Sequence, residues 1–97
     1  MNGKQRAYLR GLANGLETIV IIGKDGISAN VVRQTKEALL ARELIKCRVL
    51  EASLLSAGEA CAELAEAAEA EGIQVIGSRF VLYKANPEKP VIQLPKA

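Results

Sequence analysis

The chain has 97 residues, of which 49% are apolar and 25% are charged, the usage of a globular domain rather than of a disordered segment. This length allows one core, so we expect residues 1–97 to form a single domain. No apolar run reaches the roughly 18 residues that cross a bilayer, and the opening MNGKQRAYLR lacks the apolar centre of a signal peptide. These observations predict a cytoplasmic protein with no membrane partner.

The side-chain inventory disfavours metal and catalytic chemistry. The chain has no histidine, and its two cysteines, Cys47 and Cys61, lack a metal-type spacing. We therefore predict no metal site and no cofactor, and we interpret both thiols as small core residues. No serine lies near an obvious base, and most carboxylates fall on one helix instead of converging, so we expect no enzymatic activity and no small-molecule substrate. A small phosphate-handling enzyme remains an alternative.

The net charge of +2 conceals two segregated sets of charges. Residues 59–71 carry five glutamates and no base, whereas the rest of the chain carries thirteen Lys or Arg against six acids. A basic surface suggests a polyanionic partner. The alternative that both sets are only solvated faces stays open at this point.

The first half of the chain predicts a helix, a strand and a second helix. Apolar residues recur at helical spacing over residues 4–13, and Asn14-Gly15 should end that helix with the glycine in a left-handed C-cap. The β-branched run from Thr18 to Ile22 predicts a strand buried on both faces. Ser28 is expected to cap the N-terminus of a helix over residues 29–42.

The second half predicts a strand, a helix and a hairpin. Residues 44–50 alternate between an apolar face and a basic face that carries Lys46 and Arg48. The alanine-rich residues 57–71 predict a helix with its glutamates outward and Gly72 as its C-cap. Two strands, residues 73–76 and 79–84, should pair about a turn at Gly77-Ser78.

The remaining residues, 85–97, form a tail with three prolines. We expect it to be extended, with VIQL as a candidate for one more short strand. The element order α-β-α-β-α-β-β predicts an α/β fold, described as a two-layer α+β arrangement, in which helices pack against a mixed four-stranded sheet. The order of the strands does not follow from the sequence.

The loop Gly23-Lys24-Asp25-Gly26 lies between a strand and a helix N-terminus. Backbone N–H groups there lack internal partners and the helix dipole favours an anion. Glycines let a phosphate approach the backbone, Lys24 adds charge, and Asp25 should point away or cap the next turn. The loop fits neither the Walker A pattern nor the dinucleotide fingerprint, but it fits the Gly-x-x-Gly clamp of KH-type RNA-binding modules. A simple turn gives the same spacing.

Five segments place this loop in a wider pattern: KQRAYLRGLANGL, VIIGKDGIS, ALLARELIKCRV, IQVIGSRFVLYK and the tail's VIQLP. In this order and spacing they resemble the CRM domain family (chloroplast RNA splicing and ribosome maturation), especially its stand-alone bacterial YhbY-like members. The segment ELIKCRVLEASLLSAGEA departs from the family, because its link into the acidic helix is short and Cys47 replaces an aliphatic residue.

The resemblance implies a fold like that of the C-terminal domain of a bacterial translation initiation factor and of KH-like modules. It also implies RNA binding and a part in assembly of the large ribosomal subunit, with ribosomal RNA and precursor particles as partners. A basic ribosomal protein is a further candidate partner for the acidic residues 59–71. The RNA-binding residues that the resemblance carries over are Gly23, Lys24, Asp25, Gly26, Lys4, Arg6, Arg10, Lys46, Arg48, Arg79 and Lys84.

Two alternatives to ribosomal RNA binding stay open. A general DNA- or chromatin-coating protein is the alternative among nucleic-acid-binding proteins, and a protein-interaction module acting through the acidic helix is an alternative of another class.

The chain has only three aromatic residues. Core packing is the expected role of Phe80, whereas Tyr8 and Tyr83 are candidates either for the core or for base stacking. This scarcity favours recognition of the phosphate backbone over recognition of base edges.

Overall fold

The computed structural model describes residues 1–96 and contains the predicted sequence of elements. No helix in this part of the chain is both long enough and apolar enough to span a membrane. The helices and strands are α1 (Gly3–Ala13), β1 (Thr18–Ile22), α2 (Ala29–Arg42), β2 (Leu44–Val49), α3 (Ala57–Ala68), β3 (Glu71–Ile76) and β4 (Arg79–Tyr83).

The four strands form one mixed sheet in the order β1-β2-β4-β3. β1 is parallel to β2, and β4 is antiparallel to both of its neighbours. The crossover through α3 therefore leaves a gap between β2 and β3, and the returning strand of the hairpin fills it. As a result β1, β2 and β3 end, and β4 begins, at the same end of the sheet, which we call the loop end. The predicted mixed four-stranded sheet is confirmed.

The helices pack on both faces of the sheet, which makes three layers where two were predicted. The larger core lies between one face and the pair α2 and α3, and it includes Ile45, Cys47 and Phe80. The smaller core lies between the other face and α1, and it joins Leu9 and Ala13 to Leu44, Ile73, Val81 and Tyr83. The reason is that β2 and β4 bury consecutive residues, Leu44-Ile45 and Phe80 to Tyr83, which point to opposite faces.

β1 is buried on one face only, which corrects the prediction of a doubly buried strand. Val20 and Ile22 are buried, but Ile19 is 38% and Ile21 is 52% exposed. β1 is an edge strand, and the smaller core beneath α1 contains none of its residues. Since every residue from Ile19 to Ile22 is β-branched and apolar, the sequence holds no alternation that would reveal the open face.

Two predicted glycine caps are wrong, and in each case another residue ends the helix. α1 ends at Asn14 in a right-handed conformation, and Gly15 donates its N–H to the Leu12 carbonyl, so it needs no left-handed geometry. α3 ends at Glu69, which is itself left-handed with φ 55°. Gly72 lies in β3, where a Cβ would come 3.0 Å from the Cys61 Sγ, so its small size serves packing instead.

The tail is held by a buried carboxylate. Glu43 is 0% exposed, has φ 64° and follows α2. Its two carboxylate oxygens accept N–H bonds of 2.6 Å each from Asn86, Val91 and Ile92. Ile92 and Leu94 pack against the smaller core. Within residues 85–96 no strand forms, so VIQL adds none, and side-chain anchoring takes the place of sheet pairing.

The same contacts set the ionisation of Glu43. Burial raises its pKa, but the three backbone N–H donors together lower it by more, and the resulting pKa lies below its ordinary value. The charged form is therefore the one that the fold stabilises.

We predict that Glu43→Gln lowers the free energy of unfolding by about 2 kcal/mol, because the amide replaces one acceptor oxygen by an NH₂ group that opposes a backbone donor. The native pKa is depressed, so the carboxylate's contribution is complete above the pKa of the unfolded chain, about 4.3. That contribution is lost as the pH falls through the native pKa. Urea unfolding followed by circular dichroism from pH 7 to pH 2.5 measures this. The difference in free energy of unfolding between wild type and variant should become smaller as the pH falls.

The matched control is Glu63→Gln, which removes an exposed carboxylate of α3. We expect it to change stability by less than about 0.5 kcal/mol. If the difference in free energy of unfolding between Glu43→Gln and wild type stays constant down to pH 2.5, the role assigned to the carboxylate charge is wrong.

Candidate functional site

The loop between β1 and α2 is a hydrogen-bonded turn. The Gly26 N–H donates to the Gly23 carbonyl at 3.0 Å, and Lys24 and Asp25 occupy the exposed corner. Gly26 has φ 63° and lies against Leu55, so the backbone itself calls for glycine there. Gly23 has no such need: its φ is not left-handed, and a Cβ would meet nothing within 4 Å. Its bare backbone leaves room for another molecule to approach.

The turn leads into the N-terminus of α2, where the predicted cap is confirmed. The Ser28 Oγ accepts the Val31 N–H at 3.2 Å. The N–H groups of Ala29 and Asn30, in the first turn, have no partner inside the helix. Together with the helix dipole they favour an anion beside the loop. Within residues 1–96 the Asp25 carboxylate accepts no hydrogen bond, so the alternative that it caps the following turn is wrong.

The sheet face that carries α1 is open at the loop end and is basic there. Lys46 and Arg48 extend from β2 on this face, and Arg79 of β4 pairs directly with Arg48. Ile21 of β1 flanks Arg48 on one side, and Ile76 of β3 flanks Arg79 on the other. We call Lys46, Arg48 and Arg79 the basic sheet patch.

α1 stops at the border of this patch. Ala13 and Asn14, at the end of the helix, line a shallow cavity together with Lys46, Arg79 and Ile76. The helix therefore covers the far part of the face, above Leu44 and Tyr83, and leaves the loop end uncovered. The loop at Gly23 follows β1 at the same end, where the Leu50 N–H donates to the Ile22 carbonyl at 2.9 Å. Loop and patch are thus neighbours.

The cations of the basic sheet patch have no carboxylate partner among residues 1–96. The one ion pair in this part of the chain joins Arg6 and Glu71, far from the patch. Arg48 and Arg79 are both exposed, yet like charges directly opposite on antiparallel strands repel and weaken the pairing. A bound polyanion would attract both guanidinium groups and so offset their mutual repulsion.

Other predicted site residues lie away from the loop and the patch. Arg6 is only 33% exposed, and its guanidinium pairs with Glu71 at 2.9 Å and donates to the Gly72 carbonyl at 2.6 Å. The Lys84 Nζ donates to the Ala68 carbonyl at 3.3 Å, at the opposite end of the sheet. Lys4 lies in the first turn of α1, about 200° around the helix from Arg6. Arg10 is half-buried one turn beyond Arg6. Their part in RNA binding stays a prediction.

The structure adds residues to the site that sequence reasoning missed. Ile21, in the strand predicted to be buried on both faces, and Ile76, in the predicted hairpin, are 52% and 60% exposed beside the basic sheet patch. Gln74 also lines the cavity at the end of α1. Apolar β-branched residues normally predict burial, so only the strand order and the short span of α1 could reveal these positions.

The thiols are confirmed as core residues. Cys47 and Cys61 are free and buried. Burial, with a smaller effect of the neighbouring Cys61, raises the pKa of Cys47 to about 12, and burial also raises the pKa of Cys61. Such thiols stay protonated at neutral pH and are poor nucleophiles. Within residues 1–96 no group of three potential metal ligands converges.

Comparison with known proteins points to one family. The family model described as the CRS1 / YhbY (CRM) domain matches residues 1–84. The chain is 38% identical over 95 residues to the Probable RNA-binding protein YqeI of Bacillus subtilis, with 98% of this chain and 99% of the relative covered. It is 32% identical over 96 residues to a protein of Haemophilus influenzae named RNA-binding protein, with 99% and 96% covered.

A solved structure agrees with these matches. The solution structure of the hypothetical protein SAV1595 from Staphylococcus aureus superimposes with a TM-score of 0.82 at 42% identity. The match covers 98% of this chain and 99% of that one. The likeness therefore extends over the sheet, the three helices and the tail.

Proposed function

The chain belongs to the CRS1 / YhbY (CRM) domain family, and on that basis we propose that it is an RNA-binding protein that holds backbone phosphates with its Gly23–Gly26 loop and its basic sheet patch. Two relatives that match it over nearly their whole length are named RNA-binding proteins. Neither is named as an enzyme, and the site's chemistry is that of electrostatic binding rather than of bond making.

The observation that carries the proposal is the pair Arg48 and Arg79. They are direct neighbours on adjacent strands, exposed, and without a carboxylate partner among the described residues. An arrangement that costs folding energy is best explained by a ligand that neutralises it. Guanidinium groups bind phosphate oxygens with two parallel hydrogen bonds, which suits a pair of neighbouring phosphates.

The size of the site favours a polymer over a small phosphate compound. Four adjacent strands spaced about 4.8 Å apart make the open face about 14 Å wide. The loop follows β1, the strand at one edge of this width, and Ile76 lies in β3 at the other edge. Several phosphates in a row span such a distance, whereas one phosphate group does not.

The composition of the face favours backbone recognition over the reading of base edges. Phe80 is 1% and Tyr83 is 6% exposed, so neither aromatic of the sheet is available for stacking, and the predicted core role of Phe80 is confirmed. The face offers cations, aliphatic side chains and the amide of Gln74. These groups suit the phosphates and ribose of structured RNA.

We further propose that the bound RNA belongs to precursors of the large ribosomal subunit. The support is the resemblance to the stand-alone bacterial members of the family. The four exposed glutamates of α3 and its C-cap, Glu59, Glu63, Glu66 and Glu69, lie on the opposite side of the sheet from the patch. That side would remain free for a basic ribosomal protein while RNA occupies the other.

Arg48→Glu separates binding from folding. A glutamate at this position forms a cross-strand ion pair with Arg79, so we expect stability to stay unchanged or rise by about 0.5 kcal/mol. RNA affinity should fall, and the slope of log K against log salt should decrease by roughly one for each lost phosphate contact. Fluorescence anisotropy of a labelled ribosomal RNA fragment at several salt concentrations measures both quantities.

The matched control is Lys36→Glu, which makes the same charge change at an exposed position of α2 on the other side of the sheet. We expect a smaller loss of affinity and an unchanged slope. Equal losses for the two variants would mean that only net charge matters. Competition with duplex DNA tests the alternative, because a general DNA-coating protein would release the RNA at equal phosphate concentration.

Gly23→Asp tests the loop. The position has room for a side chain, so the fold should tolerate aspartate, but its charge would repel a phosphate at the N-terminus of α2. We expect RNA affinity to fall roughly tenfold or more. Gly23→Ala adds the Cβ without the charge. We expect its loss of RNA-binding free energy to be less than half of the loss caused by Gly23→Asp. Wild-type affinity for Gly23→Asp, with normal circular dichroism, would exclude the loop from the phosphate site.

Sedimentation tests the assignment to ribosome assembly. When lysate of the source cells is separated on a sucrose gradient, we expect the wild-type protein in fractions that carry large-subunit particles. Arg48→Glu should shift the protein toward the top of the gradient. If wild type stays at the top while still binding purified RNA, the ribosomal assignment is wrong and RNA binding stands.

A further inference from the structure

We propose that Tyr8 is a stacking site for an unpaired nucleobase, placed beside the basic sheet patch on the same side of the sheet. The inference rests on the proposed RNA binding and names a feature of the RNA: a single-stranded nucleotide, such as a loop or bulge, next to the phosphates that the patch holds.

The first observation is exposure. The chain has three aromatic residues. Two of them are buried, Phe80 in the larger core and Tyr83 in the smaller core. Tyr8 is 43% exposed. Its hydroxyl makes no hydrogen bond within residues 1–96. The ring of Tyr8 is therefore the aromatic surface that remains available to a base.

The second observation is the direction in which Tyr8 points. The contacts of Arg6 with Glu71 and Gly72 define the side of α1 that faces β3. Successive helical residues are rotated by roughly 100°, so Tyr8 points about 200° away from Arg6. It therefore lies on the opposite flank of α1, toward the half of the sheet formed by β2 and β1. Lys46, Ile19 and Ile21 are found in that half.

The third observation is the surroundings of the ring. Leu12, one turn further along the same flank, is 40% exposed and extends the apolar surface toward the patch. Lys4, one turn earlier, is exposed and supplies a cation. The tail contacts the first turn of α1, where the Gln5 amide donates to the Pro95 carbonyl at 3.0 Å, and it leaves the Tyr8 ring 43% exposed. An aromatic face beside a cation is the arrangement that binds single-stranded nucleic acid.

The distances are compatible with one continuous RNA segment. Tyr8 precedes Asn14, which borders the patch, by six residues, or about 9 Å along the helix. Stacked nucleotides advance about 3.4 Å each along a strand. Two or three nucleotides thus separate a base on Tyr8 from a phosphate at the patch.

The test compares two RNAs of equal phosphate number: a hairpin with an unpaired loop and a blunt duplex. Tyr8→Leu keeps apolar bulk but removes the aromatic face, and we expect it to weaken hairpin binding roughly tenfold. The salt slope should not change, because no charge is removed. Affinity for the duplex should stay within about twofold, and Tyr8→Phe should bind the hairpin as wild type does. Anisotropy titrations at three salt concentrations measure these values.

Three results would overturn the inference. Equal weakening toward hairpin and duplex would assign Tyr8 a structural or general role, as would a lowered melting temperature of Tyr8→Leu. Unchanged hairpin affinity would exclude stacking. Arg48→Glu, measured on the same RNAs, separates this failure from failure of the proposed function: it should weaken both RNAs even if Tyr8 contacts neither.

Discussion

The insertion of β4 between β2 and β3 determines where the functional groups meet. If the strands had kept chain order, Arg79 would lie at an edge and β2 would face β3. Instead the antiparallel return brings Arg79 directly beside Arg48. It also places the hairpin turn at the same end of the sheet as the Gly23–Gly26 loop. Local sequence determines the strands, but this long-range pairing assembles the proposed binding face.

Much of the architecture was predictable because its signals are local. Ser28 was sufficient to predict where α2 begins. The alternation of apolar and basic residues in β2 was sufficient to predict that Lys46 and Arg48 share one face. The residues Gly77-Ser78 likewise predicted the hairpin turn, and Gly77 has the left-handed φ that such turns need. In each case a few neighbouring residues carry the whole physical reason, so no tertiary contact had to be known.

What sequence reasoning missed depends on contacts between distant residues. Gly72 looked like a helix cap, yet its size is required by Cys61, eleven positions earlier. Arg6 and Lys84 looked like free cations, yet they bind carbonyl groups of β3 and α3. The sequence gives no indication of the role of Glu43, because a buried glutamate that anchors a tail is recognised only from the backbone N–H groups that donate hydrogen bonds to it. A basic residue's role therefore depends on its neighbours in space.

The segregation of charge across the sheet has a kinetic consequence. The glutamates of α3 and the basic sheet patch lie on opposite sides of a molecule whose shortest extent is 21 Å. At physiological ionic strength electrostatic interactions between exposed charges decay over about 8 Å, so the acidic side does not cancel the field that an approaching polyanion meets on the basic side. For the RNA binding proposed above, the resulting dipole would turn the protein before contact, with its open sheet face toward the RNA. Orientation during diffusion would then raise the rate of productive encounters, although the net charge is only +2.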